Sequence, residues 1–215
     1  MTISTFADLK SQVATFLNRS NLTTQIPYYV QLAETRIAYG SEDPQFPSEP
    51  LRIRAMETRA YATINAQAIQ LPTGYLQQRR LYLAKTPNGQ LKYVTPDQFW
   101  TDARTGTTGQ PVIYTVEGEA FYFTPTPDTS YTGNIDYYKK FTALSADADT
   151  NWLLTTAPNV YLYGTLLEAF SHTRNMAAAQ INASRFAGIV NALNSADKAD
   201  RHVTPWTARP DTCTP

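Results

Sequence analysis

The chain has 215 residues, enough to bury a sizeable core as one large domain or as a body plus a subdomain. Eighteen Lys and Arg balance eighteen Asp and Glu, so no overall positive field supports tight, sequence-independent binding to DNA phosphates. Charged residues make up only 17% and tyrosine occurs 14 times, which excludes a disordered chain. Such a balance suits surfaces that become buried against other subunits, and it equally suits tyrosines that line β-strands.

Thr5 opens a first helix with Asp8 in a capping-box position, and Phe6, Leu9, Val13, Phe16 and Leu17 make one apolar stripe. A break at Asn18 to Asn21 leads to a second helix from near Thr24, with Pro27 in its first turn. Ile26, Val30, Ala33 and Ile37 line its inner side and Gly40 stops it. The pair forms a hairpin that needs later helices to cover its stripe. Ser41 to Pro50 holds Pro44, Pro47 and Pro50 and reads as a loop or crossover. Leu51-Arg52-Ile53-Arg54-Ala55 alternates apolar and basic residues as a half-exposed strand does.

Further strands are expected at 68–71, 78–84 and 90–95, the last two joined by the hairpin turn Pro87-Asn88-Gly89. Thr95-Pro96-Asp97 caps a short helix through Phe99 and Trp100, and a Gly106–Gly109 loop follows. A strand pair at 112–116 and 120–124 turns at Glu117-Gly118, and 131–141 is the final long strand. From Thr156, a candidate N-cap with Pro158 in the first turn, helical spacing returns through Val160, Tyr161, Leu162, Leu166, Leu167 and Phe170. A second helical stretch from about Ala177 carries Ile181, Phe186, Ile189, Val190 and Leu193; Thr173–Met176 between them fits a loop or a kink. After Arg201 the chain has three prolines and no periodicity, and reads as an extended tail.

The order helices, strands, helices predicts an α+β fold. The N- and C-terminal helices (residues 1–40 and 151–201) form an antiparallel helical bundle, with an antiparallel β subdomain inserted at 41–150 and an extended tail at 202–215.

Chemistry is sparse. Glu168 and His172 share a helix face, but no H-E-x-x-H motif or second His cluster completes a metal site among only two histidines. Asp147 and Asp149 lack the order of a calcium loop and read as a solvated acidic turn. Cys213 is the only cysteine, so no intrachain disulfide forms. No phosphate loop, nucleophile elbow or dinucleotide fingerprint occurs, so no enzyme, cofactor or metal is expected. Arg52, Arg54, Arg59, Arg79 and Arg80 could form a basic face for phosphate or an acidic partner; their period-two spacing favours the solvated side of a sheet. Without a basic, apolar leader or a run of membrane-spanning length, the protein is expected to be soluble, intracellular when made and not membrane-bound.

The order of signals resembles the head-to-tail adaptor (connector) proteins of tailed bacteriophages. The matching elements are Leu71-Pro72-Thr73-Gly74-Tyr75-Leu76 with Arg79-Arg80-Leu81; Gly109-Gln110-Pro111 with Tyr114; and Pro125-Thr126-Pro127. They continue through Ile135-Asp136-Tyr137-Tyr138-Lys139-Lys140-Phe141 with Leu144-Ser145, then Asn151-Trp152-Leu153-Leu154 leading to Pro158 and Tyr161-Leu162-Tyr163-Gly164. The set keeps its order over about residues 5–200. One departure follows the Tyr161 helix, where such proteins have an acidic turn and a helix with Arg and Trp. Here the segment is His172-Thr173-Arg174-Asn175-Met176-Ala177, with Phe186 as the nearest aromatic, and helix packing is expected to survive the change.

The resemblance implies a homo-oligomeric ring of twelve subunits at the head–tail interface of the virion, docked under the portal protein. Such a ring extends the channel through which double-stranded DNA passes and offers a platform for tail or nozzle proteins. In this reading the tail docks on the portal through Val203, Pro205, Trp206, Arg209 and Pro210, and Tyr75, Arg79, Arg80, Tyr114 and Trp152 contribute subunit or tail contacts. Competing readings are a tail-tube or nozzle component of the same virion and a glycan-binding tail protein with aromatic sugar platforms.

Overall fold

The structure, a computed structural model, describes residues 2–84, 89–102 and 107–201 and mixes helix with sheet. Ala55–Thr156 form one unit, and the segments on either side of it together form the other. The tail residues Val203 to Pro215, Pro87 and Asn88 of the expected hairpin turn, and Gly106 of the following loop lie outside the described residues.

In the helical unit, α1 (Phe6–Leu17) starts with the expected capping box. Asp8 N–H donates to Thr5 Oγ1 at 3.2 Å, and Thr5 N–H donates to Asp8 Oδ2 at 3.0 Å. Phe6, Leu9, Val13 and Leu17 are buried, but Phe16 is 54% exposed, so its place on the inner stripe is corrected. The buried four already fill a stripe at three- and four-residue spacing, and Phe16 falls at its margin. A 3-10 helix at Ser20–Gln25 occupies the expected break, and α2 (Ile26–Tyr39) buries Ile26, Val30, Ala33 and Ile37 as their spacing predicts. Gly40 stops it at φ 76°, with its N–H on the Arg36 carbonyl at 2.8 Å.

Leu51 to Ala55 is not a strand. Leu51 is buried with its N–H on the Ile37 carbonyl at 2.9 Å. The N–H groups of Arg52 and Arg54 donate to Asn194 Oδ1 at 2.9 Å and Asp197 Oδ1 at 2.8 Å. Side chains of the last helix therefore take the donors that a sheet neighbour would have used. Burial does not alternate along the segment: Leu51 is buried, Arg52 and Ile53 are half-buried, and Arg54 and Ala55 are exposed.

Two long helices complete this unit, α5 (Pro158–His172) and α6 (Met176–Arg201). A tight loop separates them, with Arg174 at φ 56° and its N–H on the Ser171 carbonyl at 3.0 Å. Helix α5 packs on α1, α2 and α6, burying Val160, Tyr161, Leu166 and Leu167. Arg36 Nε reaches Glu168 Oε1 at 2.7 Å between α2 and α5, and the Tyr161 hydroxyl donates to buried Glu34 at 3.1 Å. On α6 the inward row is Ala179, Ala183, Phe186 and Val190, while Ile181 is 55% exposed, another correction to the expected stripe.

The second unit holds β1 (Glu57–Ile64), β2 (Ala68–Gln70), β3 (Tyr75–Leu83), β4 (Gly89–Gln90), β5 (Lys92–Tyr93), α3 (Pro96–Asp102), β6 (Ile113–Glu117), β7 (Ala120–Thr124), β8 (Tyr131–Lys139) and α4 (Trp152–Thr156). Its strands form two four-stranded sheets, ordered β1-β8-β3-β4 and β2-β7-β6-β5 among the described residues. Ile64, Leu81, Ile135 and Tyr137 from the first meet Tyr114, Phe121 and Phe123 from the second in one apolar core. Strand β1 was not expected from the sequence. The β5–β6 pair is parallel, so the expected all-antiparallel sheet is corrected at that point. The cause is local: α3 lies between the two strands and returns the chain in the same direction. The Pro72–Tyr75 turn places Gly74 at φ 75°, and Tyr75 N–H closes on the Pro72 carbonyl at 3.1 Å.

Thr156 is the last residue of α4, not the cap of α5, and Ala157 precedes α5 without a side-chain cap. The capping chemistry sits five residues earlier, where Asn151 Oδ1 accepts the Leu154 N–H at 2.8 Å and its amide donates to the Thr142 carbonyl at 2.7 Å.

Candidate interaction surfaces

Alternation along β1, β8 and β3 sends Ile64, Ile135 and Leu81 into the core and leaves a polar, aromatic face on the other side. On that face the register aligns Arg59, Asp136 and Arg80 across three neighbouring strands. Asp136 accepts Arg59 Nε at 2.6 Å and Arg80 Nε at 2.5 Å, and both guanidinium groups lie over the Tyr82 ring, at 5.8 and 5.7 Å. The Arg59 hydrogen bond, aided by Arg80, holds the Asp136 carboxyl below the usual carboxylate range, and the same contact raises Arg59. Arg79 pairs with Glu57 and lies over the Tyr138 ring at 5.7 Å. Tyr61, two residues from Arg59 and 71% exposed, adds an aromatic surface. Arg59, Arg79 and Arg80 are thus ordered by carboxylates and rings on a partly exposed sheet face, while Arg52 and Arg54 lie in the helical unit.

The expected contact residues do not converge. Arg79 and Arg80 share the face just described. Tyr75 is half-buried at the start of β3, edge-on to Phe121 at 5.7 Å and stacked on Tyr137 at 5.8 Å; burial pushes its hydroxyl up to about 12. Tyr114 is 3% exposed, packed edge-on to Tyr93 and Phe121, and burial also pushes it up to about 12. Tyr114 is therefore a core residue, and its assignment to a contact surface is corrected. Trp152 is half-buried at the start of α4. Val203, Pro205, Trp206, Arg209 and Pro210 lie outside the described residues. Asp136 escaped sequence reading because its role depends on two strands being in register with it.

A second surface lies in the helical unit. The Ser41–Pro50 loop is closed by reciprocal backbone bonds between Ser41 and Ser48 at 2.8 and 2.9 Å, and Asp43 Oδ1 accepts the Gln45 N–H at 2.8 Å. Between this loop and α6 runs a groove of about 430 Å³, lined by Tyr39, Glu42, Glu49, Pro50, Ala187 and Asn191. Tyr39 is 60% exposed.

The pairs weighed as metal or acidic sites have structural partners. Glu168 binds Arg36, and the His172 ring lies 5.6 Å from Tyr29. Asp149 accepts from Ser145 N, Ser145 Oγ and Ala146 N, bonds that lower its carboxyl. Among the described residues no group of three or more His, Cys, Asp and Glu could hold a metal, and no helix is long and apolar enough to cross a membrane.

Among curated proteins none matches the chain significantly. A protein-family model, the SU10 adaptor protein, matches residues 4–209, which spans both units and every element described above. The ordered motifs of the strand region and of the Trp152–Gly164 stretch fall inside that match, and by it the chain belongs to the SU10 adaptor protein family, a family of structural bacteriophage adaptors.

Proposed function

We propose that the protein is a head-to-tail adaptor that assembles as a ring of twelve copies under the portal. The ring extends the DNA channel and gives tail or nozzle proteins their attachment platform, with DNA passing through transiently. The observation that carries this reading is the family match along nearly the whole chain. Low charge and abundant tyrosine support extensive subunit contacts.

In this reading the helices at the two ends of the chain act as the body and the β unit as an inserted subdomain. Arg79, Arg80, Tyr75 and Trp152 serve subunit or tail contacts. The C-terminal segment, residues 202–215, reaches the portal with Trp206 as its anchor, flanked by Val203, Pro205, Arg209 and Pro210. In polyproline geometry its last 13 residues span roughly 40 Å, enough to lie along a neighbouring protein.

Electron micrographs of the purified protein with and without portal test the assignment, and rings stacked on portal are the expected image. A protein ending at His202 should keep its melting temperature and lose most portal binding, with Trp206→Ala reproducing much of that loss. Wild-type affinity in the truncated protein would move the docking role to the helical segments. Binding to tail proteins without binding to portal would favour a tail-tube or nozzle component.

A further inference from the structure

Two surfaces of one subunit carry charged side chains of opposite sign with hydrogen-bonding groups that no described residue of the subunit takes up. On the β1–β8–β3 face, Arg80 gives its Nε–H to Asp136 and lays its plane over Tyr82. Its side chain is 57% exposed, and its terminal N–H groups have no acceptor among the described residues. The Asp136 contact fixes the direction in which that fork points. On the helical unit, Glu42 and Glu49 line one groove, and among the described residues neither carboxylate forms an ion pair or a hydrogen bond. The loop that carries them is held by the Ser41–Ser48 bonds and by Gly40, so ordering it on a partner costs little entropy. Each surface also presents an exposed tyrosine, Tyr61 on the face and Tyr39 in the groove.

We propose that the Arg80–Tyr61 face of one copy docks on the Glu42–Glu49 groove of the next copy around the ring. The inference rests on the ring reading above and names the residues that would close it. A guanidinium fork set against carboxylates, with tyrosines around it, matches the composition of protein interfaces. Because each copy carries both surfaces and they differ, the contact is heterologous and repeats head to tail, as a ring requires. Duplex DNA is the weaker partner for the face, because Glu57 and Asp136 sit among its three arginines and leave little net positive charge.

Charge reversal tests the pairing on the full chain, read as ring fraction by single-particle mass measurement. Arg80→Glu alone and Glu42→Arg with Glu49→Arg alone should each lower assembly at least about tenfold, since like charges meet at every contact. An equimolar mixture of the two proteins should restore rings, because in an alternating ring every face then meets a groove of opposite charge. The chain carrying all three changes should also assemble. Thermal melting checks that each variant folds. If Arg80→Glu does not fold, Arg80→Gln and Glu49→Gln replace the reversals and should weaken assembly by a smaller factor. Rings formed by every variant, or variants that fold yet are not rescued by mixing, would overturn the pairing and leave the ring reading intact. So would an Arg80→Gln protein that assembles normally and loses only DNA binding. Wild-type protein that stays monomeric, alone and with portal, would remove the ring reading and this contact together.

Discussion

Asp136 sits between two guanidinium groups, so its ionised form is favoured in the folded chain and its carboxyl is held down. A carboxyl with a lowered folded value contributes stability that is fully present above the unfolded value of about 3.9 and is lost as pH falls through the folded one. Asp136→Asn should therefore melt below wild type by a constant margin from neutral pH to about 5, and that margin should shrink at more acid pH. A margin unchanged down to the acid transition would assign the effect to packing. Burial separates two other residues on apolar stripes. Leu166 is 1% exposed, so Leu166→Ala should cost about 2–5 kcal/mol in urea unfolding. Phe16 is 54% exposed, so Phe16→Ala should stay within about 0.5 kcal/mol of wild type. Equal losses for the two would mean that the Phe16 side chain is covered in the folded protein.

At the scale of elements, the ends of helices explain most of what the sequence misjudged. Gly40 has φ 76° and ψ −170°, a region that side chains avoid, and a Cβ there would stand 2.7 Å from the Ser48 carbonyl oxygen. Gly40→Ala should cost at least about 1–3 kcal/mol in thermal or urea unfolding, with helix content by circular dichroism nearly unchanged. A variant as stable as wild type would show that the Ser41–Ser48 loop is free to move aside. The stop at Gly40 was legible because glycine alone tolerates that backbone. The start of α5 was not, because Thr156 and Asn151 are both good cap residues by type. Only the folded chain shows that Asn151 holds the Leu154 N–H while Thr156 ends a short helix of its own. In the same way Leu51 to Ala55 read as strand from the order of apolar and basic residues, whereas the N–H groups of Arg52 and Arg54 go to Asn194 and Asp197 of α6, partners that local sequence does not announce.

For the whole molecule, net charge is the property that bears on DNA. The chain carries none, and the sheet face that holds Arg59, Arg79 and Arg80 is interleaved with Glu57 and Asp136. Duplex DNA binding by the isolated protein should be weak and should vanish near physiological salt, as the proposed role in a channel that DNA only passes through requires. Submicromolar binding that persists at that salt would point to a dedicated DNA-binding protein instead.

The sequence by itself determined the mixture of helix and sheet, most of the helical segments, the Pro72–Tyr75 turn and the membership of an adaptor family. These follow from local spacing, capping residues and turn chemistry, or from an ordered set of motifs, and need no knowledge of neighbours. Tertiary structure decided which aromatic residues face water. Tyr114 and Tyr61 both lie in strands, yet one is 3% and the other 71% exposed, because only the first strand side meets a second sheet. It also decided that Arg59 and Arg80 share Asp136, since register between distant strands is set by how the whole sheet closes on its core.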